Sequence, residues 1–129
     1  MKIQEVAQKT KVSIYTLCYY EKAGLVIPIK RALNGHRQYT EDDINRIVFI
    51  THLRSAGMPI AKIQRYMQLV QAGNKTITER LHILEEHRMF IESHIDELRE
   101  HLGLISQKIE HYREFNHIQG KTTDIVIAN

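Results

Sequence analysis

The side chains best equipped for contact chemistry fall in two short stretches. Tyr15, Thr16, Cys18, Tyr19 and Tyr20 follow closely on Ser13, and Lys30, Arg31, His36 and Arg37 flank an Asn34-Gly35 pair. The first group offers hydroxyls and aromatic faces. The second offers cations that grip phosphate oxygens, arginine as a planar fork. Neither group is built to make or break bonds. The eight histidines are scattered, no two carboxylates sit at an evident site, and there is no nucleophile–base pair or phosphate-cradling glycine loop. An enzyme is therefore not expected, and neither is a cofactor. The single cysteine excludes a multi-cysteine metal cluster or an intrachain disulfide, and it suits a reducing cytoplasm.

Two other features have a sharper and a plainer reading. Cys18 lies one helical turn from Lys22, and a nearby cation lowers a thiol pKa, so it could serve as a redox or electrophile switch. One mobile lysine is a weak field, and a neutral substitution on a helix flank is the plainer account. His87, His94 and His101 recur every seven residues. Same-chain ligands at that spacing stand about 10 Å apart along a helix, so a metal would need ligands from a second chain; a solvated flank is the plainer account, and no metal site is expected.

The elements that position these groups can be read from caps and periodicity. Residues 1–25 form two short helices around a tight turn. Ile3, Val6 and Ala7 mark one apolar face, Lys11-Val12-Ser13 breaks it, and Ser13 caps a second helix running to about Lys22. On that helix Ile14, Leu17 and Tyr20 face inward, Tyr15, Tyr19 and Lys22 face outward, and Ala23-Gly24 ends it. This is a helix-turn-helix pattern. Asn34-Gly35 then supplies the two φ > 0 residues of a tight hairpin, a small wing with a basic tip suited to phosphate contact. Thr40, followed by Glu41, Asp42 and Asp43, opens a third helix whose inward residues are Ile44, Ile47, Val48 and Thr51, with Leu53 beside them. A fourth begins near Pro59, with Ile60, Ile63, Met67 and Val70 on one face.

From residue 77 to 112 the apolar residues alternate in steps of four and three, a mean period of 3.5 that keeps a narrow seam facing a partner helix. With Leu81 as a, the a positions are Leu81, Arg88, Ile95, Leu102 and Ile109. The d positions are Ile77, Leu84, Ile91, Leu98, Ile105 and Tyr112. Such a helix is too long to fold back on a chain of 129 residues, so the seam asks for a second copy. Arg88 breaks the apolar series and is expected to fix register against a partner glutamate. The chain thus divides into a DNA-binding head over 1–73, a dimerisation helix over 74–116 and a tail over 117–129 with a short apolar run, Ile125-Val126-Ile127. The formal charge of +3 is weakly compatible with nucleic acid, and no run of 18 apolar residues suggests a membrane span.

The motifs V-A-Q-K-T-K-V-S, T-L-C-Y-Y-E-K-A-G-L, N-G-H-R-Q-Y and L-R-S-A-G-M, in this order over residues 2–70, resemble the MerR family of bacterial transcription regulators. The resemblance implies a mostly α fold: a winged helix-turn-helix followed by a long antiparallel coiled-coil helix. It also implies a homodimer on a pseudo-palindromic operator between promoter elements. There the dimer distorts the DNA so that RNA polymerase can use the promoter once an inducer binds. Carried onto this chain, groove contacts come from the helix headed by Ser13, through Tyr15, Thr16 and Tyr19. Phosphate contacts come from Tyr20, Arg31, His36, Arg37, Tyr39 and Arg54. In length and layout the chain is most similar to the aldehyde-responsive members.

The chain departs from the family pattern at several points. Cys18 stands where the family usually carries an arginine that touches the phosphate backbone. The cysteines of the metal and redox sensors are absent, and His52 occupies the place of the aldehyde-sensing cysteine. The chain is too short for a separate ligand domain, so an inducer pocket is expected around Thr51–Ser55, Tyr66 and the partner's C-terminal end. The rival reading is a coiled-coil protein-interaction module carrying a degenerate helix-turn-helix; it predicts weak, salt-sensitive DNA binding without sequence preference.

Overall fold

A computed structural model of the chain describes residues 1–119. Its elements are α1 (Ile3–Thr10), α2 (Ile14–Lys22), α3 (Glu41–Ser55), α4 (Ile60–Gln71), a short 3-10 turn (Asn74–Thr76) and α5 (Ile77–Gln119). The helix termini follow local chemistry. Ser13 caps α2, its hydroxyl accepting the Thr16 N–H at 3.1 Å. Thr40 and Asp43 form a reciprocal capping box on α3: Asp43 N–H donates to Thr40 Oγ1 at 3.1 Å, and Thr40 N–H to Asp43 Oδ2 at 2.8 Å. The turn between α1 and α2 needs a left-handed residue. Lys11 supplies it at φ 59°, the one non-glycine with positive φ among the described residues.

Helices α2 and α3 end in the same way. Gly24 (φ 74°) and Gly57 (φ 92°) turn the chain left-handed. The next residue's N–H then reaches back five residues, Leu25 to the Tyr20 carbonyl at 2.8 Å and Met58 to the Leu53 carbonyl at 2.9 Å. This is the Schellman closure, in which an apolar residue after the glycine packs against the helix it has just left. Leu25 and Met58 are both fully buried, beside Val6, Leu17, Ile47, Ile50 and Ile63.

Three details differ from the sequence reading. Ile14, at the first position of α2, is 43 % exposed, and Val12 from the preceding turn is buried in the core. On α3 the buried series is Ile44, Ile47, Ile50 and Leu53, while Val48 lies outside it. The wing contains no strand, only an isolated antiparallel bridge between Arg31 and Arg37. Its turn has three residues rather than two. Gly35 N–H donates to the Ala32 carbonyl at 2.9 Å, Ala32 N–H to the His36 carbonyl at 2.8 Å, and Gly35 alone takes positive φ. A turn followed by one left-handed glycine is the usual three-residue solution. Asn34 contributes through its side chain, Oδ1 accepting the His36 N–H at 3.0 Å.

The chain forms two compact units, the first from Met1 to His87 and the second beginning at Arg88. The first unit therefore extends beyond residue 73 and takes in the opening turns of α5. Ile83 and Leu84 pack half-buried against its core. Ion pairs Arg65–Glu79 (3.0 Å) and Lys62–Glu86 (3.1 Å) join α4 to α5. Leu84, read from its spacing as a seam residue, thus has part of its apolar surface covered within a single chain.

In the second unit nothing on α5 is buried. Ile95, Leu98, Leu102, Ile105 and Ile109 are all exposed, Leu102 at 62 %. Arg88 lies 3.5 Å from Glu92 of its own helix. Of the expected tail, His117–Gln119 continue α5; Ile125-Val126-Ile127 lies outside the described residues.

Candidate nucleic-acid interface

The exposed part of α2 carries Tyr15, 83 % exposed, and Tyr19, with Thr16 and Cys18 half-buried beside them. Ser13 Oγ accepts the Thr16 N–H and donates to Thr16 Oγ1 at 2.8 Å. A hydroxyl has one proton, and that of Thr16 is therefore left to point elsewhere, available to an acceptor outside the protein. Tyr20 is buried, its ring in the core as expected of an inward-facing residue.

The wing is joined to α2 by a carboxylate that composition and periodicity did not mark. Glu21 accepts from Arg37 Nε at 2.6 Å through one oxygen and from the Ile29 N–H at 3.0 Å through the other. Both side chains are largely covered, 16 % exposed for Glu21 and 25 % for Arg37. Burial pushes the Glu21 carboxyl up. The hydrogen bonds from Arg37 and Ile29, with the charges of Arg37 and Arg31, outweigh it and hold the carboxyl below its ordinary range. Arg37 is raised in turn, first by its hydrogen bond to Glu21. Arg37, carried over from the family as a phosphate contact, thus first sets the wing against the helix.

The other cations are freer. Arg31 Nη1 donates to the Gly35 carbonyl at 2.8 Å and stiffens the wing, while His36 and Lys30 are exposed. Lys2, Gln4, Arg31, His36 and Arg37 line a shallow cleft between the start of the chain and the wing. Arg54 is exposed near the end of α3, away from any carboxylate among the described ion pairs. Leu33 at the wing tip is fully exposed, an apolar side chain that the search for cations passed over.

Tyr39 stands apart from its expected role. It is 4 % exposed, and its hydroxyl is buried without a hydrogen-bond partner. Burial raises its pKa. As placed, the hydroxyl does not face a phosphate; the backbone does the work, Tyr39 N–H donating to the Met1 carbonyl at 2.8 Å. Cys18 lies near both Arg37 and Tyr39.

Gln64 of α4, also missed, donates to the Ala23 carbonyl at 2.6 Å and anchors the end of α2. Around the expected inducer pocket, Thr51 gives its hydroxyl proton to the Ile47 carbonyl and Leu53 is in the core. Tyr66 turns to Phe49, ring centroids 5.9 Å apart.

Comparison with known proteins identifies the family. Residues 1–70 match the MerR HTH family regulatory proteins, and residues 44–107 match the MerR DNA-binding family. An uncharacterised HTH-type transcriptional regulator of Haemophilus influenzae is 31 % identical over 110 residues, 85 % of this chain and 82 % of that protein. The transcriptional regulator AdhR of Bacillus subtilis is 40 % identical over 88 residues, 68 % of this chain and 63 % of that protein. A MerR family regulator from Listeria monocytogenes superposes with a TM-score of 0.90 at 31 % identity, covering 94 % of this chain and 92 % of that one. HiNmlR, a MerR family regulator lacking the sensor domain and solved bound to promoter DNA, superposes at 0.82 and 29 % identity, with 90 % of this chain and 92 % of that one covered. Motifs, fold and relatives converge: the chain belongs to the MerR family and is a DNA-binding transcription regulator.

Proposed function

We propose that the protein acts as a homodimer on a two-fold symmetric promoter site and distorts that DNA for RNA polymerase in response to an inducer. Residues 1–73 serve as the DNA-binding head, 74–116 as the dimerisation helix and 117–129 as a tail. The observation that carries this reading is the Glu21 latch, which fixes the recognition helix and the wing as one surface. A protein that bends DNA must hold the backbone at several points at once, and a wing free to move against α2 would hold it poorly. Tyr15, Thr16 and Tyr19 enter the groove, and Arg31, His36 and Arg54 meet phosphates. The exposed apolar series Ile95, Leu98, Leu102, Ile105 and Ile109 supports a second copy, since such a seam costs about 25 cal/mol for each Å² left in water. The HiNmlR complex supports promoter DNA as the partner.

The test is a footprint of the purified protein on the DNA upstream of its own gene. A two-fold symmetric footprint between promoter elements is expected. Binding that is uniform along the DNA and vanishes with salt would instead favour the protein-interaction module.

A further inference from the structure

Within the first unit, α3, α4 and the start of α5 enclose a cleft of ≈ 280 Å³. Phe49, Tyr66 and Val70 give it an apolar wall, and the Phe49 and Tyr66 rings are tilted against one another at 50°. Phe49 remains 40 % exposed there. Arg46 and Arg80 line the same cleft, and no carboxylate does.

The two arginines differ in how they are held. Arg80 is fixed by hydrogen bonds from Nε to Thr76 Oγ1 and from Nη2 to the Gly73 carbonyl, both 3.0 Å, which leaves Nη1 for another acceptor. Its guanidinium is thereby oriented before any ligand arrives, and little side-chain entropy is left to lose on binding. Arg46 has Asp43 as its nearest acid, at 3.6 Å, beyond the length of a charge-assisted hydrogen bond. Asp43 caps α3 through Oδ2 and turns its Oδ1 toward Arg46 from outside the cleft lining. The cleft lining therefore carries two cations and no acid, Arg46 being offset only by Asp43 outside it, next to a pair of rings. Its volume lies just under the usual range for small-molecule pockets, enough for one ring and not for several.

We propose that this cleft binds a single-ring organic acid, with the ring against Phe49 and Tyr66 and the carboxylate between Arg46 and Arg80. The proposal deepens the inducer part of the regulator reading by naming its ligand class. It also moves the expected pocket from Thr51–Ser55 to Arg46–Ile50, keeping Tyr66. Because the cleft draws on α3, α4 and α5 together, its occupant ties the first turns of α5 to the DNA-binding head.

The test is titration of the full-length protein, without DNA, with 4-fluorobenzoate followed by fluorine NMR, alongside the neutral 4-fluorobenzamide. Saturable binding of the benzoate is expected. Arg46→Gln should weaken it about tenfold, the effect of losing one charge-assisted hydrogen bond. The amide should bind more weakly than the acid, and Phe49→Ala should weaken both. Equal binding of acid and amide overturns the proposal, as does benzoate binding unchanged in both variants. Absence of binding at every protein concentration overturns it too, and shows the cleft closed, as it would be beneath a second copy. Because no DNA is present, a failed titration leaves the footprint result standing, and a failed footprint leaves the titration standing.

Discussion

Glu21→Gln tests whether the wing is held by the recognition helix. The substitution keeps the shape of the side chain and removes its charge. Glu21 now accepts from two donors, Arg37 Nε at 2.6 Å and the Ile29 N–H at 3.0 Å. A glutamine has one acceptor oxygen, so its NH2 group must face one of those donors. A hydrogen bond to a charged partner contributes about 1.5–3 kcal/mol where water is largely excluded. With Glu21 16 % and Arg37 25 % exposed, about 2 kcal/mol of stability should be lost. Urea unfolding followed by circular dichroism measures this. Arg37→Gln should cost a similar amount, and the double variant little more than either, a coupling of about 1–2 kcal/mol. DNA affinity should fall about tenfold in both single variants as the wing loses its setting. The acid limb gives an independent check. The Glu21 pKa is lowered in the folded state, so its contribution is complete above the ordinary carboxylate value of about 4.3 and is lost as the pH falls through the lower folded value. Glu21→Gln should flatten stability against pH in that window and nowhere else. Additive costs in the double variant, within about 0.5 kcal/mol, would refute the latch.

Three further outcomes are expected. Cys18→Arg restores a cation beside the wing and should tighten DNA binding, steepening log K against log salt by about 0.9 per subunit; an unchanged slope would mean that position 18 does not meet the backbone. Tyr39→Phe removes a buried, unpartnered hydroxyl and should raise stability by about 1 kcal/mol with DNA affinity unchanged, whereas a clear loss of affinity would return the hydroxyl to the phosphates. Leu102→Asp puts a charge in the middle of the exposed seam and should give a monomer in sedimentation analysis; a dimer of undiminished stability would place the pairing surface elsewhere.

What could be read from sequence was the part decided within a few residues. Ser13, the Thr40 cap with its acidic first turn and Gly24 act on their own neighbours, and each lies where the sequence puts it. The wing turn was legible as a turn but not in type, because Asn34 contributes a side-chain oxygen where a second left-handed residue was expected. Arg37 was legible as a cation and not as a positioning residue, since its partner sits on another element, sixteen positions away along the chain. Tyr39 shows the same limit: its type suggests a phosphate contact, and only the packing shows that its hydroxyl is buried. The 3.5 period located the long helix but could not reveal that Ile83 and Leu84 are claimed by the first unit's core. The cleft around Phe49 and Arg80 joins three helices, and no window of sequence contains it.

The paired helix endings have a consequence for how the protein is made. Gly24 and Gly57 each reverse the chain with hydrogen bonds that span no more than five residues, and Leu25 and Met58 then enter one core. Folding that relies on such near-neighbour closures is fast, and a nascent chain folds by units from its N-terminus. The first compact unit is complete once His87 has left the ribosome, while the apolar series from Ile91 onward has still to emerge. Each copy is therefore expected to fold its head alone and to meet its partner afterwards. A translated fragment ending at His87 that failed to resist protease would count against that order. On the proposed homodimer, the exposed helix waits between those two events for its partner, so cellular abundance of the regulator should depend on how quickly two copies find each other.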